Sequence, residues 1–316
     1  MNVLIVGAGA VGQVYARHLQ LAGHGVSLLV KDKYAEACRA GLPMYPLNGF
    51  QKGQAVTLQV DEVLTGPEQV AQRTFDQVWL CISTPALAGP WLDALIAASG
   101  QAVLVSMTPG LRDADRVAAL LPPERRVQGM IGFISWQTPL STETRDVPGI
   151  AEYLPPWSPS QFGGAEAPAR AAAEALSAGH CPASYNRRVG LASALGSAVL
   201  LAAIGGLETA GWSFDHLRRS PTLGLIARSA RESMVVAASW HDQGPPVLRL
   251  LVRPVLIRAV LRIAPRVMPF DLETYLAYHF TKVGDQTRHH LETLTEVGRE
   301  RDLQVQAIAA LRDALG

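Results

Sequence analysis

Lysine is nearly missing from this sequence. Of 28 basic residues only Lys31, Lys33, Lys52 and Lys282 are lysines, and the rest are arginines. Arginine keeps its charge at any physiological pH, so an ammonium that gives up a proton can come from very few positions. Cysteine is as scarce. Cys38, Cys81 and Cys181 are odd in number and show no C-x-x-C spacing, which excludes a disulfide framework and a structural zinc site and leads to the expectation of a reducing, cytoplasmic setting. No H-E-x-x-H pattern occurs, so no catalytic metal is expected. Neither sign of charge dominates: the net charge is +1, which argues against nucleic acid as a general partner. The N-terminal apolar run is broken by three glycines and does not read as a secretory leader. One long stretch, 189–207, has no charge at all. It is rich in Ala, Gly and Ser rather than Leu and Phe, and so is expected as a tightly packed core helix rather than a membrane span.

What the chain does have is size and a sharp motif at its start. With 316 residues, 48% of them hydrophobic, it can bury more than one core, and two domains are expected, 1–186 and 187–316. Val3, Leu4, Ile5 and Val6 form an apolar run that suits a strand buried on both faces. Gly7, Gly9 and Gly12 follow in G-x-G-x-x-G spacing, and 11–21 continues with helical periodicity. Strand, glycine turn and helix in this order form a dinucleotide site. Gly7 permits the turn, Gly9 lets a pyrophosphate approach the backbone, and Gly12 lets helix and strand pack closely. The backbone of Gly7, Ala8, Gly9, Ala10, Val11 and Gly12 is therefore the expected phosphate cradle.

A second strand is expected at 25–30. An acidic residue at its end would favour NAD, but here Lys31, Asp32 and Lys33 follow. Two cations suit a 2′-phosphate and point to NADP(H), and a solvated turn is the competing reading. Further parallel strands are expected at 76–82 and 101–107. The loops after them put Thr84, Pro85, Thr108, Pro109 and Gly110 at the sheet edge where ligands bind. Helices are expected at 34–40, 86–99 and 169–178, an irregular strand pair within 42–60, strands across 126–136 and 150–154, and a loop over 155–167. From 187 onward only helical patterns remain: 187–210, 220–242, an Arg-studded 247–267 interrupted by Pro254 and Pro265, a long helix capped by Asp271, and 304–315. The fold class is an α/β Rossmann domain followed by an all-α domain.

The segments 2–31, VWLCISTPA, VLVSMTPGL and DQTRHHLETLTEVGRERDL resemble the ketopantoate reductase family over most of the chain, most specifically in the first 31 residues. The resemblance implies NADPH, a Rossmann domain with a helical partner domain, and a ketone or 2-oxo acid reduced in the cleft between them. It also implies that Lys31 holds the 2′-phosphate. The family places a proton-donating lysine on the first long helix of the second domain. Here 189–207 has none, and Ser193 and Ser197 are the hydroxyls in that region. The family's T-E-x-D stretch corresponds to Gly284-Asp285-Gln286-Thr287-Arg288, and its N-G after the strand to Pro109-Gly110.

Two hydride acceptors of different identity are thus consistent with the sequence, ketopantoate with a displaced donor or another carbonyl, and a third reading is a silent NADP-binding protein. The richest polar stripe in the second domain holds His279, Lys282, Asp285, Gln286, His289 and His290. Lys282 or His279, oriented by Asp285, is the expected donor, and a solvated ion-paired face is the alternative. The apolar run 130–136 and Trp157 suggest an apolar substrate. The stretch 247–267 reads as an interfacial helix that touches a membrane or guards entry for a lipid-like substrate, as a core helix with snorkelling arginines, or as a homodimer contact.

Overall fold

Val3 and Ile5 pack into one apolar core and Leu4 and Val6 into another, because the strand Asn2–Val6 runs through the middle of a sheet covered on both faces. The helix Ala10–Leu21 supplies Val14, Tyr15 and Leu19 to the first core, and the helix Trp91–Ala98 supplies Leu92 and Leu95 to the second. Each of these fully buried side chains stabilises the fold by about 1.5–3 kcal/mol. The computed structural model describes all residues of 1–316 except Phe50, Ala88, Pro109 and Val283. The chain divides into one unit of Met1–Pro139 with Glu143–Gly190 and another of Leu140–Thr142 with Leu191–Gly316.

In the first unit, the main sheet runs in the order Ala183–Tyr185, Ser160–Gly164, Arg126–Met130, Val103–Ser106, Gln77–Leu80, Asn2–Val6, Gly25–Leu29 and Glu62–Leu64. Its pairings are parallel except that Ser160–Gly164 runs antiparallel to Arg126–Met130. A second sheet orders Val56–Leu58, Leu42–Pro46, Gly149–Tyr153 and Ile134–Thr138. Its centre is a parallel pairing that sets Met44 beside Ile150. Leu42–Pro46 and Val56–Leu58 are the expected irregular pair.

Three expectations fail here for local reasons. The stretch 126–136 is two strands in different sheets, parted at Gly132, where a Cβ would lie 2.2 Å from the Ser160 backbone nitrogen. The expected loop 155–167 contains the strand Ser160–Gly164. Its Gly163 and Gly164 look like loop residues but are required by close approach, since a Cβ would meet Asn186 O at 2.3 Å and Arg126 O at 2.5 Å respectively. The expected helix 86–99 is a 3₁₀ turn, Thr84–Leu87, followed by a helix that starts only after Pro90.

The aromatic ring of Tyr15 is central to the first core. It meets Trp79 and Phe133 edge-on at 5.1 and 4.9 Å, and its hydroxyl lies 3.2 Å from Ser160 Oγ. Phe133 and Trp136 are buried in the core of this unit, Met130 and Ile134 are half-buried, and Ile131 and Trp157 are exposed. One charged group sits in the same interior. Arg17, on the helix Ala10–Leu21, is ion-paired with Glu152 of the second sheet and donates to Gln51 Oε1. His18 donates from Nδ1 to Gly179 O at 2.7 Å, which leaves its Nε2 to accept from Arg17 at 3.3 Å.

In the second unit, residues 191–316 contain no strand among those described. The helix Val189–Thr209 has the length and composition to cross a membrane, with a mean hydropathy of 1.9, and half of its most apolar window is buried within the protein. Gly206 allows close crossing with Leu223–Trp240, since a Cβ there would lie 2.0 Å from Ile226 Cδ1. Asp271 caps Leu272–Lys282 by accepting from the Thr274 N–H at 3.1 Å. Val283, outside the described residues, stands between that helix and Gly284–Glu300. A short helix at Phe214–Arg219, capped by Ser213, has no counterpart among the expected elements. Glu232 accepts from the N–H groups of Ala307 and Ile308 at 2.8 and 3.1 Å, a carboxylate at the start of the helix Gln306–Asp313. In 247–267, Pro254 opens a helix rather than interrupting one, and Pro265 falls in its last turn. None of the residues of Pro254–Val267 is buried, so it is not a core helix.

Candidate active site

The glycine turn is built as its spacing requires. Gly7 has φ +97°, and a Cβ there would meet Cys81 O at 2.9 Å. Its N–H donates to Leu29 O at 3.0 Å, fastening the turn to the end of Gly25–Leu29. Gly9 precedes the helix Ala10–Leu21 with extended backbone and provides no side-chain cap. The first helical hydrogen bond runs from Gln13 N–H to Gly9 O at 3.0 Å. Among the described residues, the backbone N–H groups of Ala8, Gly9, Ala10, Val11 and Gly12 have no partner in the chain. The Gln13 amide donates to Ala8 O at 2.8 Å and braces the turn from behind. Free donors at a helix N-terminus, around a glycine whose missing Cβ would meet nothing within 4 Å, fit a pyrophosphate.

Lys31 follows the strand Gly25–Leu29 and precedes the helix Asp32–Ala40. Lys31, Asp32 and Lys33 are all exposed. Asp32 occupies the first turn of that helix, where a carboxylate is favoured by the dipole. The Lys33 ammonium lies 4.8 Å from the centre of the Tyr34 ring, which partly engages it. Lys31 has no such contact among the described residues.

The two loops at the ends of Gln77–Leu80 and Val103–Ser106 are tied together by a residue the sequence reading missed. Asp113 is buried, and its Oδ2 accepts from Thr84 Oγ1 at 2.8 Å and from the Gly110 N–H at 2.9 Å. Its only signal in the sequence was its position three residues beyond a glycine at a helix start. Thr84 therefore spends its hydroxyl on the loop brace. Thr108 is buried and shares a 2.8 Å hydrogen bond with Ser106. Pro85 is exposed, and Pro109 lies outside the described residues.

The expected donor stripe is less concerted. His279 is half-buried and its ring stacks on Tyr275 at 5.6 Å; burial, and then the Lys282 charge, hold its pKa below the usual imidazole range. Lys282 is exposed rather than buried, with its ammonium 6.0 Å from the Tyr278 ring centre. Asp285 is exposed, and among the described residues no hydrogen bond or ion pair joins it to His279 or Lys282. His290 is buried, its Nε2 has no hydrogen-bond partner among the described residues, and burial pushes its pKa down to about 4. Ser193 is buried and Ser197 half-buried on Val189–Thr209.

Comparison with known proteins agrees with this architecture. Residues 3–139 match the family model described as Ketopantoate reductase PanE/ApbA. None of the curated proteins is a significant match. Among solved structures, D-mandelate dehydrogenase in a ternary complex with NADH and anilino(oxo)acetate superposes with a TM-score of 0.75 at 14% identity, covering 100% of this chain and 97% of that one. The 2-dehydropantoate 2-reductase from Geobacter metallireducens GS-15 gives 0.74 at 16% identity, covering 100% and 99%. That from Methylococcus capsulatus gives 0.72 at 18%, covering 99% and 95%. The α/β region followed by a helical region is the fold of these reductases.

Proposed function

From the match of residues 3–139 to the ketopantoate reductase family model, we propose an NADP(H)-dependent oxidoreductase that reduces the carbonyl of a small ketone or 2-oxo acid. The observation that carries this reading is the set of unpartnered N–H groups from Ala8 to Gly12. They hold the pyrophosphate, and the bare Cα of Gly9 lets it approach. Lys31, with no competing side-chain contact among the described residues, pairs with the 2′-phosphate, with Lys33 as an outer cation. The loops carrying Thr84, Pro85 and Thr108 border the cofactor, held in register by Asp113. The nicotinamide supplies hydride when bound. For the carbonyl oxygen, His279 is a better donor than the exposed Lys282: burial keeps its imidazole neutral, and a neutral imidazole can still donate an N–H to a developing alkoxide. The lack of lysine in 189–207 favours a substrate other than ketopantoate.

Titration with NADPH and NADH tests the cofactor assignment. Lys31→Ala is expected to weaken NADPH binding about tenfold or more, the worth of one charge-assisted hydrogen bond, while leaving NADH within about threefold. Equal loss for both cofactors would remove Lys31 from the 2′-phosphate. For the donor, His279→Ala is expected to lower kcat about a hundredfold with NADPH affinity unchanged. Undiminished turnover would rule His279 out.

A further inference from the structure

The segment from Val247 to Val267 leaves most of its apolar side chains exposed. It forms a 3₁₀ turn, Val247–Leu251, then the helix Pro254–Val267. In the turn, Val247 is 80% exposed, and Leu248, Leu250 and Leu251 are exposed beside it. In the helix, Leu256, Val260, Ile263 and Val267 are all exposed, with Val260 at 62%. Their i, i+4, i+7, i+11 spacing makes one continuous apolar stripe. Ile257, Leu261 and Ala264 are the half-buried neighbours on the next face. Arg258, Arg262 and Arg266 recur every four residues on a third. Arg249 and Arg253 add to the positive charge of the segment, and no acidic residue occurs from 244 to 270. Arg258 donates from Nε to Arg218 O at 3.1 Å, fastening the helix to Phe214–Arg219 so that the stripe is presented on a fixed support.

We propose that this surface docks on an anionic lipid membrane, with Leu256, Val260, Ile263 and Val267 entering the headgroup–acyl boundary and the arginines pairing with lipid phosphates and carboxylates. Charge decides the occupant. An isologous contact through the stripe would gather the arginines of both copies around one interface with no acid in either segment to relieve them. An anionic leaflet neutralises the same arginines, and the exposed stripe gains the apolar burial that water denies it. Fourteen residues, with proline at the first position and in the last turn, keep the helix continuous across the whole stripe.

Co-sedimentation of the full chain with vesicles of phosphatidylcholine, or of phosphatidylcholine mixed with phosphatidylserine, tests the proposal. The protein is expected to partition onto the anionic vesicles about tenfold or more strongly than onto the neutral ones, and less strongly as salt rises. Val260→Asp with Ile263→Asp, and separately Arg262→Glu with Arg266→Glu, are each expected to reduce that partitioning about tenfold or more. All four positions are exposed, so unchanged far-ultraviolet circular dichroism should accompany the loss. Absence of binding to anionic vesicles, or equal binding by the wild type and both variants, overturns the proposal. So does a drop in oligomeric size in the variants without vesicle binding by the wild type, which assigns the face to a second copy. Preference for an acidic polypeptide such as polyglutamate over the vesicles overturns it in favour of a protein partner.

Discussion

Gly12→Ala is expected to destabilise the first unit by about 3 kcal/mol or more, whereas Gly9→Ala is expected to leave it folded with weakened binding of the proposed cofactor. The two glycines belong to one motif and differ in what surrounds them. A Cβ on Gly12 would lie 2.0 Å from Gly7 O and 3.1 Å from Ile5 Cγ2. The nearer atom is backbone, fixed by the Gly7–Leu29 hydrogen bond, so relief requires moving the helix Ala10–Leu21 off the strand Asn2–Val6. A Cβ on Gly9 meets nothing within 4 Å, and the backbone there has φ −71°, which alanine adopts freely. Its methyl would occupy only the space the pyrophosphate needs, and the affinity for NADPH should fall at least about tenfold. Urea denaturation and a fluorescence titration on both variants read the two effects separately. Normal NADPH binding by Gly9→Ala would place the phosphates elsewhere, and wild-type stability of Gly12→Ala would show that the helix can shift at little cost.

Glu152→Ala is expected to cost about 3–5 kcal/mol, although Glu152 is far in sequence from the turn and absent from any motif. Its side chain is 2% exposed and that of Arg17 is 8% exposed. The attraction between them offsets the desolvation of both, so the pair as a whole contributes little. Removing the carboxylate alone is different: Arg17 cannot give up its proton, and it stays buried with only Gln51 and His18 to face. A second variant separates the cost of an orphaned charge from the cost of a cavity. Arg17→Met together with Glu152→Ala should recover much of the loss, because it removes the stranded guanidinium and restores apolar volume. A loss below about 1 kcal/mol in the single variant would mean that water reaches Arg17 once Glu152 is gone. The midpoint of the unfolding transition of the first unit is the quantity to follow, since two units need not unfold together.

The parts of the fold that were legible beforehand are those where a single local signal suffices. The apolar run before Gly7, the helical period after it and the Asp271 cap each act within a few residues, and each appears in the structure as its sequence suggests. The strand Ser160–Gly164 was not legible, because its glycines are required by contacts with Asn186 and Arg126, partners that only the tertiary fold brings close. The same holds for Asp113 and Glu152, whose roles exist only through Thr84, Gly110 and Arg17. The donor stripe shows the converse. Helical spacing groups His279, Lys282 and Asp285 on paper, but spacing carries no information on burial, and it is burial that distinguishes His279 from the two exposed residues.

The second sheet of the first unit bears on how the chain reaches its native state. Its central pairing joins Met44 to Ile150, and the strands of the main sheet that lie between them in sequence do not take part in it. Bringing those ends together in an otherwise open chain loses loop entropy before any contact is gained. Once Asn2–Val6, Gly25–Leu29, Gln77–Leu80 and Val103–Ser106 have paired, the intervening chain is already gathered and the same closure spans a much shorter effective loop. The paired strands of the main sheet thus shorten the loop that the smaller sheet has to close, and the Arg17–Glu152 pair links the helix Ala10–Leu21 to that smaller sheet.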